Sequence, residues 1–341
     1  MSSSPQAIEA LELVSNLQAR FISGLENVAS VHGDSSAFKK TEWLRDEGRH
    51  GGGNRFTAAT GCIFNQGSVN VSQIHYDDEP DKKLGSATAL STIIHPLNPH
   101  APSVHIHISW TEMKDGNGYW RIMGDLNPSI SHSQFKAAFQ SAMQKAAPEQ
   151  YEEASAQGDR YFFIPALNRH RGVTHFYLES YRTKDRVADQ NLARNFGESV
   201  IDTYVEILNQ ALTDNPEVDP DDIKAQLAYH TLYFFQVLTL DRGTTSGLLV
   251  HDQNDLGIMG SLPALVDRGL LRSWQSEVMS PQDQLVQKLS DALPNQIPSP
   301  VTDKVKKGLA STVRKHYELH PEALNSQAQG FMIPPTVNNH S

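Results

Sequence analysis

The sequence predicts an α+β architecture, a large antiparallel sheet covered by helices, and three observations carry that expectation. Runs rich in β-branched and aromatic residues follow one another between residues 57 and 110. The connections between them are short, which suits antiparallel neighbours better than parallel crossovers. Segments with apolar residues three and four apart stand before and after this block, the period of one helix face.

The first element is a helix. Ile8, Leu11, Val14, Leu17, Phe21, Leu25 and Val28 share a face, and Ser4-Pro5 supplies an N-cap and first turn. The run Gly51-Gly52-Gly53 predicts a loop or a close backbone approach. Strands are expected at Thr57 to Phe64, Val69 to Tyr76, Ala89 to Ile94 and Val104 to Trp110. Phe135, Phe139 and Met143 mark a helix that ends before Pro148. Strands follow at Arg160 to Ile164 and Val173 to Ser180, then a long helix through Phe196, Val200, Tyr204, Ile207 and Ala211. Asp219-Pro220 starts a shorter helix, and Tyr233 to Leu240 and Gly247 to Val250 read as strands. The last helices start near Ser280-Pro281 and Val301, and the polar tail from Gln327 is expected to fray.

Composition narrows the function. A net charge of -10 without a Lys/Arg cluster argues against nucleic acid as a partner, because phosphate neutralisation dominates such binding. No apolar run is long enough to span a membrane. The single cysteine, Cys62, excludes an intrachain disulfide and reads as a small buried hydrophobe, in keeping with a reducing, cytoplasmic setting. No G-x-G-x-x-G, phosphate-binding loop or hydrolase elbow is present.

The stretch from Val104 to Trp110 is the most informative. Strand alternation places Val104, Ile106, Ile108 and Trp110 on one face and His105, His107 and Ser109 on the other. His95 ends the preceding strand against Pro96, and Pro96 and Pro99 stiffen the return. Histidines placed this rigidly suit acid/base or ligand work. His175, Tyr177 and Glu179 form a second row, read either as an acid/base set or as a hydrogen-bonded sheet surface.

These segments resemble oxygen-dependent coproporphyrinogen-III oxidases. His95-Pro96-Leu97-Asn98-Pro99 with Pro102 to His105 is similar to the family's H-P-x-N-P-x-x-P unit and the histidine strand after it. Trp43-Leu44-Arg45-Asp46-Glu47 with the glycine run, and Val69 to His75, resemble its opening motifs. Asp125-Leu126-Asn127-Pro128, Arg171-Gly172-Val173 and Asp241-Arg242-Gly243-Thr244 resemble D-L-T-P, R-G-I and D-R-G-T, in family order.

The resemblance implies a flat antiparallel sheet with helices on both faces, in a homodimer. It places a single domain at 1–295, followed by a helical extension and tail at 296–341. It implies oxidative decarboxylation of two propionates of coproporphyrinogen III to vinyls, with molecular oxygen as co-substrate and no organic cofactor. His105 matches the proton donor, and Ser91, His107, Ile108 and Ser109 match substrate contacts. Arg171 is expected as a carboxylate anchor, Glu179 or Asp241 at the pyrrole N–H groups, and Asn70 and Arg242 among the substrate-binding residues. His95 and His105 are the candidate ligands of a divalent metal, with satisfied polar histidines as the simpler reading.

The departures lie mainly at arginines. Ser109 stands where the family has the arginine of N-x-R, His251-Asp252-Gln253 replaces G-G-R, and Ala228 to Tyr233 replaces an Arg-rich strand. Gln140 and Ala166 occupy the positions of two further metal-associated histidines. Arginine forks are natural carboxylate clamps. Their loss keeps two alternatives open: a non-catalytic tetrapyrrole-binding relative, or a cofactor-free oxygenase on another pyrrolic substrate. Arg55, Arg169, Arg171 and Arg242 remain to compensate.

Overall fold

The computed structural model describes residues 2–34, 38–58, 61 and 63–330; Cys62 and the last eleven residues lie outside the described residues. A seven-stranded antiparallel sheet organises the molecule, in the order β1 (Phe38–Leu44), β2 (Gly51–Ala58), β3 (Phe64–His75), β4 (Leu84–Pro96), β5 (Ser103–Met113), β6 (Gly118–Asn127) and β9 (Thr174–Tyr181). Two-stranded ribbons lie outside it, β7 (Phe163–Ile164) with β8 (Arg169–His170), and β10 (Leu265–Val266) with β11 (Ser299–Pro300).

One face packs on α1 (Pro5–Val31), α2 (Ser133–Ala146) and α4 (Arg186–Asp214), where Val69, Leu90, Ile106, Ile108 and Ile122 meet Leu13, Leu17, Phe196 and Val200. The other face is covered by α3 (Tyr151–Phe162), α5 (Pro220–Thr239) and α6 (Arg242–Val250), with the short α7 (Asp255–Ile258). Behind them lie α8 (Arg268–Ser273), α9 (Gln282–Ala292) and α10 (Asp303–Leu319). The expected α+β sheet with helices on both faces is thus present. No helix among the described residues is long and apolar enough to cross a membrane.

Local chemistry explains most boundaries. Ser4 caps α1 through Ala7 N, and Pro5 opens the first turn. Gly51 lies within β2 at φ +93, where a Cβ would stand 2.1 Å from Gln73 O, so the glycine run is a close backbone approach. Of the strand expected at Thr57 to Phe64, Thr57 and Ala58 end β2 and Phe64 begins β3. Strands β1 and β6 and helix α3 go unread in the sequence, and Arg160 belongs to the end of α3.

The largest correction concerns Tyr233 to Leu240, read as a strand: Tyr233 to Thr239 lie in α5 and Leu240 is its C-cap. Asp219 and Asp222 form a capping box around Pro220. From Tyr229 to Thr239 every side chain is buried, and a helix buried all round has no amphipathic period to betray it. Gly247 to Val250 is likewise helical, because Asp241 caps α6 by accepting from Thr244 N at 2.6 Å. The tail is pinned as far as Gly330. Gln327 is buried and donates to Thr245 Oγ1 at 2.5 Å, Ala328 N donates to Leu240 O at 2.9 Å, and Arg160 Nε donates to Gly330 O at 2.8 Å.

Candidate active site

Pairing register lays the polar side chains of five strands in three rows on the face opposite Leu90 and Ile106. Ser68, Ile93, His105, Asp125 and His175 stand side by side in one row. Asn70, Ser91, His107, Met123 and Tyr177 form the second. Ser72, Ala89, Ser109 and Arg121 form the third. Residues directly opposite in an antiparallel sheet share a face, so period-two alternation suffices to gather them.

Above these rows the sheet and its helical cover enclose a cavity of about 320 Å³, within the range of ligand pockets. Its sheet side carries Asn70, Ser91, His105, His107, Ser109 and Arg121. Tyr161 of α3, Arg171, Tyr233 of α5, and Asp241 and Arg242 at the start of α6 close the other side. Ile108 does not take part; it is fully buried in the opposite core, as alternation dictates, so contact with a ligand in the cavity is closed to it.

His105 is held from behind. Its Nδ1 lies 2.7 Å from Asp125 Oδ1, while Asp125 Oδ2 accepts from Arg171 Nη2 at 2.8 Å and Asn127 Nδ2 at 2.6 Å. Burial alone would raise the Asp125 carboxyl, but Arg171 and His105 outweigh it and hold the group well below the carboxylate range. An ionised Asp125 accepts only, so Nδ1 carries the proton and Nε2 is left to the cavity. Arg171 is 1% exposed, sandwiched between the rings of Phe162 at 4.3 Å and Tyr233 at 4.8 Å, and it donates to Gln236 Oε1 at 2.7 Å. It is the counter-ion that fixes Asp125, and its Nε is left without a hydrogen-bond partner among the described residues.

His107 sits between two hydroxyls, Nδ1 at 2.9 Å from Ser91 Oγ and Nε2 at 3.0 Å from Ser109 Oγ. Burial, with Arg121 and His105 beside it, pushes its imidazole well below the usual range. His95, His230 and His316 are also lowered, burial being the first cause in each, His230 to about 3 and His316 to about 4. An unfolded chain protonates these groups as pH falls through about 6.5, while the fold keeps them neutral. Their stability contribution is therefore full above that pH and is lost on acidification, each adding a slope of up to about 1.4 kcal/mol per pH unit. Urea unfolding measured from pH 7 to 5 should show stability falling with pH, and His230→Gln should flatten the slope; a flat wild-type curve would refute this.

Asp241 lines the cavity and accepts from Tyr161 Oη at 2.9 Å through Oδ2. Arg242 is 8% exposed, and its Nε and Nη2 have no hydrogen-bond partner among the described residues. Glu179 is set apart from the lining, accepting from Tyr177 Oη at 3.0 Å beneath Gly330. His175 is engaged at both nitrogens, by Asp159 Oδ1 and Arg171 O, each at 2.7 Å. The second row read from sequence is thus mainly a hydrogen-bonded surface.

His95 and His105 do not fit a metal site. His95 is fully buried, with Nδ1 on Ser103 Oγ at 2.8 Å and Nε2 on Ser261 O at 3.1 Å, so no lone pair remains for an ion. A cluster of ligand type among the described residues, His50 with Asp78 and Glu79, lies outside the cavity lining.

Arg121, Tyr161 and Tyr233 complete the cavity and are missed in the sequence. Alternation in Tyr119-Trp120-Arg121-Ile122-Met123 is the signal that could have found Arg121, since Trp120 and Ile122 join the core and Tyr119, Arg121 and Met123 face the cavity. The two tyrosines come from helices whose sequence carries no such signal.

A family model described as Coproporphyrinogen III oxidase matches residues 9–293. The chain is 26% identical over 261 residues to the human protein named oxygen-dependent coproporphyrinogen-III oxidase, mitochondrial, covering 69% of this chain and 56% of that protein's length. It is 28% identical over 293 residues to oxygen-dependent coproporphyrinogen-III oxidase of Prochlorococcus marinus (strain AS9601), covering 74% and 82% respectively. To the protein of that name in Drosophila melanogaster it is 27% identical over 275 residues, covering 74% and 69%. With the match running through every strand that lines the cavity, the chain belongs to the coproporphyrinogen III oxidase family.

Proposed function

We propose that this protein carries out the oxygen-dependent oxidative decarboxylation of coproporphyrinogen III to protoporphyrinogen IX, in porphyrin and haem biosynthesis. The observation that carries this reading is the meeting of His105, His107, Ser91, Asp241 and Arg242 around one cavity in a chain of this family. The reading brings with it a homodimeric, cytoplasmic protein, a single domain through residue 295, and no organic cofactor.

For each propionate, R–CH2–CH2–COOH and O2 become R–CH=CH2, CO2 and H2O2. The two electrons released as the C–COO bond breaks and a hydrogen leaves the neighbouring carbon reduce one oxygen molecule. A porphyrinogen is electron-rich enough to act as the reductant, so the protein supplies orientation, desolvation and proton handling. His105 Nε2 takes or gives the proton, with Asp125 and Arg171 fixing the ring from behind. Asp241 accepts pyrrole N–H groups, and Ser91 and His107 contact the substrate beside them.

The test is incubation of purified protein with coproporphyrinogen III in air and under nitrogen. Vinyl product and CO2 in air, and neither under nitrogen, are the expected results. Absence of product in air overturns the proposal. Tight porphyrin binding without CO2 release would then identify a non-catalytic tetrapyrrole binder.

A further inference from the structure

We propose that Arg121 is a specificity-determining anchor for a carboxylate of the ligand, at the end of the cavity where β5 and β6 meet. This rests on the proposed tetrapyrrole function and names the group that replaces a lost clamp. Arg121 stands directly across from Ser109, whose hydroxyl is already engaged by His107. Ser109 and Arg121 both line the cavity.

The balance of charge in the cavity favours an anion. Asp125, behind the lining, is paired with His105 and Arg171, and Asp241, the one carboxylate in the lining among the described residues, already accepts from Thr244 N and Tyr161 Oη. Glu179 adds a coulombic pull on Arg121 but takes its hydrogen bond from Tyr177 Oη. Arg121 Nε has no hydrogen-bond partner among the described residues, and neither do Nε and Nη2 of Arg242. Buried guanidinium N–H groups without acceptors are costly, and a carboxylate accepts two of them at once. Arg121 from the sheet and Arg242 from α6 thus present two forks to one cavity, in a chain whose net charge is -10. A ligand with several carboxylates answers both; a ligand with few does not.

The experiment is fluorescence-quench binding of coproporphyrin III, an unreactive tetra-acid, and of mesoporphyrin IX, a di-acid, to the wild type, Arg121→Gln and Arg121→Lys, with thermal midpoints and steady-state kinetics alongside. Arg121→Gln is expected to weaken tetra-acid binding about 10- to 100-fold and to flatten its salt dependence. KM should rise while kcat stays within about three-fold. Arg121→Lys keeps the charge without the fork and should fall between. Tetra-acid affinity of Arg121→Gln within two-fold of wild type overturns the inference. So does a lysine variant that binds like wild type with only a lower thermal midpoint. Failure of wild type to bind either porphyrin would instead strike the proposed function itself.

Discussion

Asp125→Asn is expected to cost the fold about 3–5 kcal/mol, the usual penalty for stripping one partner from a buried ion pair. Asp125 is fully buried and receives His105, Arg171 and Asn127 together. The asparagine would leave the Arg171 guanidinium between Phe162 and Tyr233 with no counter-ion. Its amide would also bring two donors into a site built of donors. Urea unfolding at neutral pH should report the loss as a lower midpoint at an unchanged slope. The double variant with Arg171→Met should recover most of it, because no charge is then left unpaired. A single variant within about 1 kcal/mol of wild type would show that the pair is not what holds this region. The pH dependence follows from the same shift. The folded carboxyl is depressed, so its contribution is present above about pH 3.9 and lost only as pH falls through the lower folded value.

His105→Gln should lower turnover of coproporphyrinogen III by about 10²- to 10⁴-fold, the typical worth of a placed acid/base group. The glutamine amide can still donate toward Asp125 but has no titrating nitrogen to offer the cavity. The His105 side chain is 19% exposed, so the change should leave the fold near wild type, and KM should move little. Rates of CO2 release, with the thermal midpoint as control, decide the matter. More than a tenth of wild-type turnover in a folded variant would remove His105 from the chemistry.

Comparison of the two variants separates two roles that sequence motifs merge. Arg171 and His105 both sit in recognisable motifs, and from sequence both are expected to meet substrate. The structure separates them in depth: both reach the cavity lining, but His105 leaves Nε2 to it, while Arg171 is 1% exposed and committed to Asp125 and Gln236. Depth is invisible to a motif, because it depends on which helix covers which strand.

The sheet face is legible where alternation is regular. Val104 to Trp110 declares its two faces, and the pairing of Ser91 with His107 follows from strands joined by a short turn. The same logic already excludes Ile108, although the tripeptide match carries it into the substrate set. Legibility fails where burial is complete on all sides. Tyr229 to Thr239 is aromatic and β-branched, and its helical state is set by the capping box before it and by packing from every direction. It fails as well at β6, where Arg121 sits between Trp120 and Ile122 in a strand the sequence does not announce. Arg121 is the cavity-lining arginine that this unannounced strand supplies.

The closing residues of the described chain have a consequence for anyone engineering this protein. Ala328 holds Leu240 on one side of Asp241-Arg242, and Gln327 holds Thr245 on the other. Gly330 fits against Tyr177 so closely that a Cβ would stand 2.9 Å from the ring. A stop codon placed at the end of α10, the last regular helix among the described residues, would therefore unbrace the first turn of α6 from both flanks. The residues after His320 act as scaffolding for one wall of the cavity, and any shortened or fused version should carry them intact through Gly330.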